Sequence, residues 1–113
     1  LAGAVEISLI GGLMHTYRAK VVKLVDGDTV DFDVDLGFYI SIRIRTRLVG
    51  VDTPERGHPG WAKATQVLAD LLIAQTDEKG YIKIRTGKTG KYGRWLVDIE
   101  GVNETLAKEW PYE

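Results

Sequence analysis

Between residues 17 and 51 apolar and polar side chains alternate, and from residue 61 the period lengthens to that of a helix. This switch limits the fold more than any other feature of the chain. A period of two puts successive side chains on opposite faces of a strand; a period of 3.6 stacks them along one side of a helix. Residues 17–25 are rich in β-branched side chains and read as a first strand. Asp26-Gly27-Asp28 is a turn signal. Residues 29–36 follow, with Val30, Phe32, Val34 and Leu36 on one face and Asp31, Asp33 and Asp35 on the other. Gly37 breaks this strand. Residues 39–51 form a long third strand, with Ile40, Ile42 and Ile44 facing one way and Ser41, Arg43, Arg45 and Arg47 the other.

Pro54, Gly57 and Gly60 mark a loop. Trp61, Ala64, Leu68, Leu71 and Leu72 then give an amphipathic helix over residues 61–74. Residues 81–86 and 94–99 read as two more strands around a polar loop at 87–93. Gly101 ends the last strand, and Asn103 is placed to cap a short helix over 104–109. Three strands, a helix, two strands and a final short helix make a mainly β chain with helices, on the plan of a five-stranded OB-type barrel. An open α+β sandwich satisfies the same pattern.

The chain has 113 residues, enough for one domain, read as 17–113. Residues 1–16 read as a tail. Met14 has the look of a natural start, and the apolar stretch 5–10 offers an extra strand or a contact with another copy. The tail lacks a cationic leader region and carries Glu6, so it makes a poor signal peptide. No apolar run approaches the roughly 20 residues of a membrane helix. There is no cysteine, which excludes disulfides and thiolate metal sites. The net charge is −1, so polyanion binding has to come from a local cationic patch.

Two acidic turns, Asp26-Gly27-Asp28-Thr29 and Asp52-Thr53-Pro54-Glu55, stand at the ends of the first and third strands. In a meander those ends converge. Carboxylates with a backbone carbonyl form an all-oxygen set, suited to a hard cation. Each turn alone reads as well as a solvated turn former. Arg47 lies five residues before Asp52, on the opposite face of a regular strand, so the two share a site only where the strand bends, and Gly50 is the place for it. Arg43 and Arg45 read better as a solvated face balancing the aspartates of the second strand. Lys88-Thr89-Gly90-Lys91-Tyr92-Gly93-Arg94 offers glycines for close approach, lysines for a polyanion, a stacking ring and a guanidinium fork. Taken by itself it is an ordinary hairpin loop.

As a set, Val25-Asp26-Gly27-Asp28-Thr29, Arg47-Leu48-Val49-Gly50-Val51-Asp52-Thr53-Pro54-Glu55, Thr89-Gly90-Lys91-Tyr92-Gly93-Arg94 and Val102-Asn103-Glu104 resemble the staphylococcal (micrococcal) nuclease family in order and spacing. The resemblance implies an OB-type barrel and calcium-dependent hydrolysis of DNA or RNA at the 5′ P–O bond, leaving 3′-phosphates. By the same resemblance Asp28 and Asp52 are the calcium carboxylates, and Thr53 gives a backbone carbonyl. Asp26 and Thr29 stand around the metal. Glu55 is the general base, Arg47 and Arg94 bind the phosphate, and Lys91 and Tyr92 line the nucleotide pocket.

The loop at 56–60 is shorter than the family's lysine-rich one, which implies a weaker grip on substrate. The sequence stops at Glu113, before the family's third helix and the segment that gives the base pocket another aromatic. Tyr112 and Trp110 stand nearest to that role. The expected state is a monomer or a weak homodimer through the tail. Family members are often secreted. The competing reading is a weak or inactive nuclease-like module that only binds nucleic acid or protein. Retention of Asp28, Arg47, Asp52, Glu55 and Arg94 together favours the enzyme.

Overall fold

The computed structural model describes residues 15–89 and 94–112. The tail up to Met14 and the expected nucleotide-pocket residues Lys91 and Tyr92 lie outside the described residues. Strands β1 (His15–Asp26), β2 (Thr29–Asp35) and β3 (Ser41–Leu48) form a meander. Helix α1 (Trp61–Gln75), strands β4 (Ile82–Thr89) and β5 (Trp95–Asp98) and helix α2 (Asn103–Glu109) follow. The strands close into a barrel in the order β1-β2-β3-β5-β4, so the barrel is realised rather than the open sandwich. Closure needs β1 to serve two partners: residues 15–19 pair with β4, and residues 18–26 pair with β2. Register breaks between Val21 and Lys23 and between Leu24 and Asp26 bend it from one to the other. A parallel pairing of Thr46–Leu48 with Trp95–Val97 completes the ring.

Phe32, Val30, Val34, Leu48, Ile82, Ile84 and Val97 fill the barrel, and Leu68 and Leu72 of α1 plug one end. Gly27 lets this helix sit directly on the β1–β2 turn. A Cβ there would come within 2.9 Å of both Ala64 Cβ and Thr53 Cγ2. No helix among the described residues is long and apolar enough to cross a membrane.

The third strand departs from the alternation. It begins at Ser41, residues 37–40 form a turn, and Ile40 and Ile42 are 56% and 48% exposed rather than inward. The reason is the length of β5: it reaches only Thr46–Leu48, so among the described residues the first half of β3 has β2 on one side and no paired strand on the other. The last helix also differs. Asn103 is its first residue, not its cap, and its side chain bonds elsewhere.

On the outer face of the meander, Arg45 and Arg43 stand opposite Asp31 and Asp33. Each guanidinium donates two hydrogen bonds to its carboxylate, Nε at 2.8 Å in both pairs. The expectation of a self-balancing strand face holds. The bond from Arg45 keeps the Asp31 carboxyl below its usual range, and the bond from Arg43 does so for Asp33. A carboxyl lowered in the fold stabilises it fully above its unfolded pKa, about 4, and loses that contribution as pH falls through the folded value. We therefore expect Asp31→Asn/Asp33→Asn to melt slightly below wild type at pH 7, with the two curves converging below about pH 4. Melting temperatures recorded across that range check this; a pH-independent gap would remove these pairs from the acid response.

Candidate active site

The two acidic turns meet at one end of the barrel. Asp28 is 4% exposed, and its carboxylate is held on three sides. Oδ1 accepts the Thr29 hydroxyl at 2.9 Å; Oδ2 accepts Thr53 N–H at 3.1 Å and Arg47 Nη1 at 3.3 Å. A main-chain bond from Leu48 N–H to Asp28 O at 2.8 Å locks the first turn to the end of β3. The Thr29 hydroxyl therefore stands beside the Asp28 carboxylate.

Arg47 and Asp52 also come together. Arg47 Nη2 donates to Val51 O at 3.0 Å and lies 3.7 Å from Asp52 Oδ1. The chain turns between them at Gly50, whose φ of +79° belongs to the left-handed region that glycine enters freely. One guanidinium is thus bracketed by Asp28 and Asp52. Asp52 itself is more than half exposed, with its main-chain N–H fixed to Trp110 O at 2.9 Å. Thr53 is buried, and its Oγ1 has no hydrogen-bond partner among the described residues.

Asp26 does something the sequence did not show. Its Oδ1 accepts Trp61 Nε1 at 2.8 Å and Arg56 N–H at 3.2 Å, and the Arg56 guanidinium lies 4.9 Å from the Trp61 ring centre. The carboxylate ties the start of α1 and the loop that carries Glu55 to the end of β1. Trp61, read in sequence only as part of the apolar face of the helix, is the other half of that tie.

Arg47, Asp52, Glu55 and Arg94 line a single cleft with Val49, Gly50, Leu96 and Tyr112. Tyr112 arrives there because residues 110–112 run antiparallel to 50–52. Val51 pairs with Pro111, and Tyr112 N–H donates to Gly50 O at 3.1 Å. Its ring centre is 5.4 Å from the Arg47 guanidinium carbon. Trp110 packs against the core instead. Nothing in sequence names the segment against which Trp110, Pro111 and Tyr112 fold back.

The cleft offers two guanidinium groups, an exposed carboxylate, a phenol ring and, beside them, two carboxylates with main-chain oxygens. Among the described residues no three carboxylates or imidazoles gather closely enough to cage an ion by themselves. The donors are nevertheless all oxygen, two of them carboxylates, with one orphaned hydroxyl close by. That chemistry fits a hard divalent cation that keeps part of its shell from solvent or ligand.

No protein-family model matches the chain. It is 35% identical over 96 residues to a micrococcal nuclease of Shigella flexneri, covering 85% of this chain and 49% of that protein. It is 33% identical over 94 residues to protein ParB of Escherichia coli, covering 83% and 47%. A thermonuclease of Staphylococcus hyicus is 30% identical over 99 residues, covering 80% and 54%. The chain thus spans about half the length of the curated relatives it matches. Similarity that runs through most of the chain, together with the closed barrel and the two acidic turns drawn to one end of it, assigns the chain to the staphylococcal nuclease-like family.

Proposed function

We propose that this chain is a calcium-dependent nuclease domain that hydrolyses phosphodiester bonds of DNA or RNA at the 5′ P–O bond. The observation that carries the reading is the convergence of Arg47, Asp52, Glu55, Arg94 and Tyr112 on one cleft, with Asp28 bonded to Arg47 behind it. The names of the nuclease relatives point the same way.

Attack on a phosphodiester adds negative charge to the equatorial oxygens, and the chemistry requires positive charge aimed there. Arg47 and Arg94 are the side chains to supply it. Arg47 is preset for the task, since two of its five donors are fixed to Asp28 and Val51 and hold the plane of the guanidinium still. Asp28, Asp52 and the Thr53 carbonyl would hold Ca²⁺, which when bound supplies further charge neutralisation at the phosphate. Glu55, exposed on the cleft wall, orients the attacking water and accepts its proton. The Tyr112 ring gives a base or sugar an apolar face beside the phosphate.

The test is cleavage of plasmid and single-stranded DNA by the chain with Ca²⁺ or with chelator. Cleavage should require the cation, and Glu55→Gln should lower turnover by about a hundredfold. Its melting temperature should stay at the wild-type value, because the side chain is exposed. Undiminished cleavage in chelator would end the calcium reading. Tight binding of DNA without any cleavage would leave a binding module in its place.

A further inference from the structure

Glu55 is exposed and stands on the loop between Thr53 and α1. A side chain on a loop is aimed only as well as its main chain is held. Here the main chain is held on both flanks of Glu55. Thr53 N–H, before it, donates to Asp28 Oδ2 at 3.1 Å. Arg56 N–H, after it, donates to Asp26 Oδ1 at 3.2 Å. Both acceptors belong to the one turn Asp26-Gly27-Asp28. The peptide that joins Glu55 to Arg56 is fixed at its other polar atom as well, since Glu55 O accepts His58 N–H at 3.0 Å. The two ends of the loop also meet: a Cβ at Gly60 would lie 3.3 Å from Pro54 Cγ.

Asp26 is itself fastened. Its Oδ1 also accepts Trp61 Nε1 at 2.8 Å, and the same indole N–H reaches Val25 O at 3.1 Å. The Arg56 guanidinium lies against that indole, 4.9 Å from the ring centre. A carboxylate oxygen has two lone pairs, and two N–H donors occupy those of Oδ1. That oxygen has nothing left to offer a cation. The resemblance to the nuclease family sets Asp26 around the metal, whereas its bonds in the fold run to the loop. A bond that served only to anchor α1 would need Trp61 alone; the bond to Arg56 falls on the peptide that leaves Glu55.

We propose that Asp26 is a positioning residue that acts through Glu55 and not through the cation. With Trp61 it holds the Glu55–Arg56 peptide, so that the Glu55 carboxylate is set against the attacking water before substrate arrives. The two carboxylates of the turn then have separate work: Asp28 meets Arg47 behind the cleft, and Asp26 fixes the loop on its wall. The proposal rests on the nuclease reading and deepens it. Displacing a reacting group by about 1 Å costs up to about a hundredfold in rate, so a bond one peptide away from Glu55 is enough to matter.

Cleavage of single-stranded DNA in saturating Ca²⁺, well below the melting temperature, tests it. Asp26→Ala should lower kcat about ten- to a hundredfold with KM unchanged. The Ca²⁺ concentration that half-raises the melting temperature should not move. Asp26→Asn keeps an acceptor oxygen and should recover most of the loss. Trp61→Phe, which loses the donor and keeps a ring beside Arg56, should share the loss. The decisive comparison is made in Glu55→Gln, where Asp26→Ala should cost nothing further, a result that general loosening of the fold would not give. Equal losses with and without Glu55 overturn the proposal. So does weaker Ca²⁺ binding in both Asp26→Ala and Asp26→Asn, which returns the residue to the cation. Amide exchange at Arg56 and His58 needs no activity. It should quicken in Asp26→Ala and not in Glu55→Gln, and unchanged exchange in Asp26→Ala overturns the proposal. If the parent cuts no DNA, the nuclease reading falls and Asp26 has no reaction to serve, even where exchange shows that it holds the loop.

Discussion

Arg47→Ala should lower strand cleavage by about 10²–10³-fold and lower the melting temperature as well. The catalytic loss follows from removing one of two guanidinium groups that face the cleft. The loss of stability has a separate origin. Asp28 is almost wholly buried, and Arg47 is a cationic partner of it, at 3.3 Å. Without Arg47 the carboxylate keeps the Thr29 hydroxyl and the Thr53 N–H but loses that opposing charge. An incompletely satisfied buried group of this kind costs about 2–3 kcal/mol. The two effects can be separated. Adding Asp28→Asn to Arg47→Ala should recover much of the stability, because the stranded charge is gone, while cleavage stays low. Ca²⁺ should also narrow the stability gap between Arg47→Ala and wild type, since a cation bound at Asp28 replaces the missing charge. Turnover, urea unfolding and a Ca²⁺ titration of the melting temperature check these outcomes. Wild-type cleavage by Arg47→Ala would exclude the arginine from the mechanism.

The barrel was legible because alternation and helical spacing are properties of neighbouring residues. The meander, α1 and the later strands all follow from them. The joining of Arg47 and Asp52 was legible too, since one glycine in the left-handed region suffices to turn the chain between opposite strand faces. What sequence could not carry is the length of the wall opposite a strand. Ile40 and Ile42 have the period of core residues yet are about half exposed, because β5 is too short to reach them. The role of Asp26 was hidden for a related reason. Its partners Arg56 and Trp61 lie thirty and thirty-five residues on, and only the folded loop brings them back. Tyr112 needs the same long return, by way of Pro111 pairing with Val51.

Asn103→Leu should destabilise the fold by about 3 kcal/mol, near 1 kcal/mol for each of three hydrogen bonds lost. The side chain is buried at the start of α2 and bonds to main chain throughout. Its Oδ1 accepts Ile99 N–H at 2.9 Å, and its Nδ2 donates to Val49 O at 2.9 Å and Val97 O at 3.0 Å. One amide thereby joins α2 to the end of β5 and to the segment just after β3. Those are the segments that set Arg47 and Gly50 against the rest of the cleft, so turnover well below the melting temperature should fall with stability. Leucine has a similar volume and cannot make the bonds, which separates them from packing. Asn103→Asp makes the test sharper. It keeps the shape and the acceptor for Ile99, but it turns an anion toward two carbonyl oxygens. At pH 7 it should unfold at least as readily as Asn103→Leu in a urea titration. Wild-type stability in Asn103→Asp would mean that the site needs only a side chain of that size, and the amide would no longer be what fastens the barrel to its last helix.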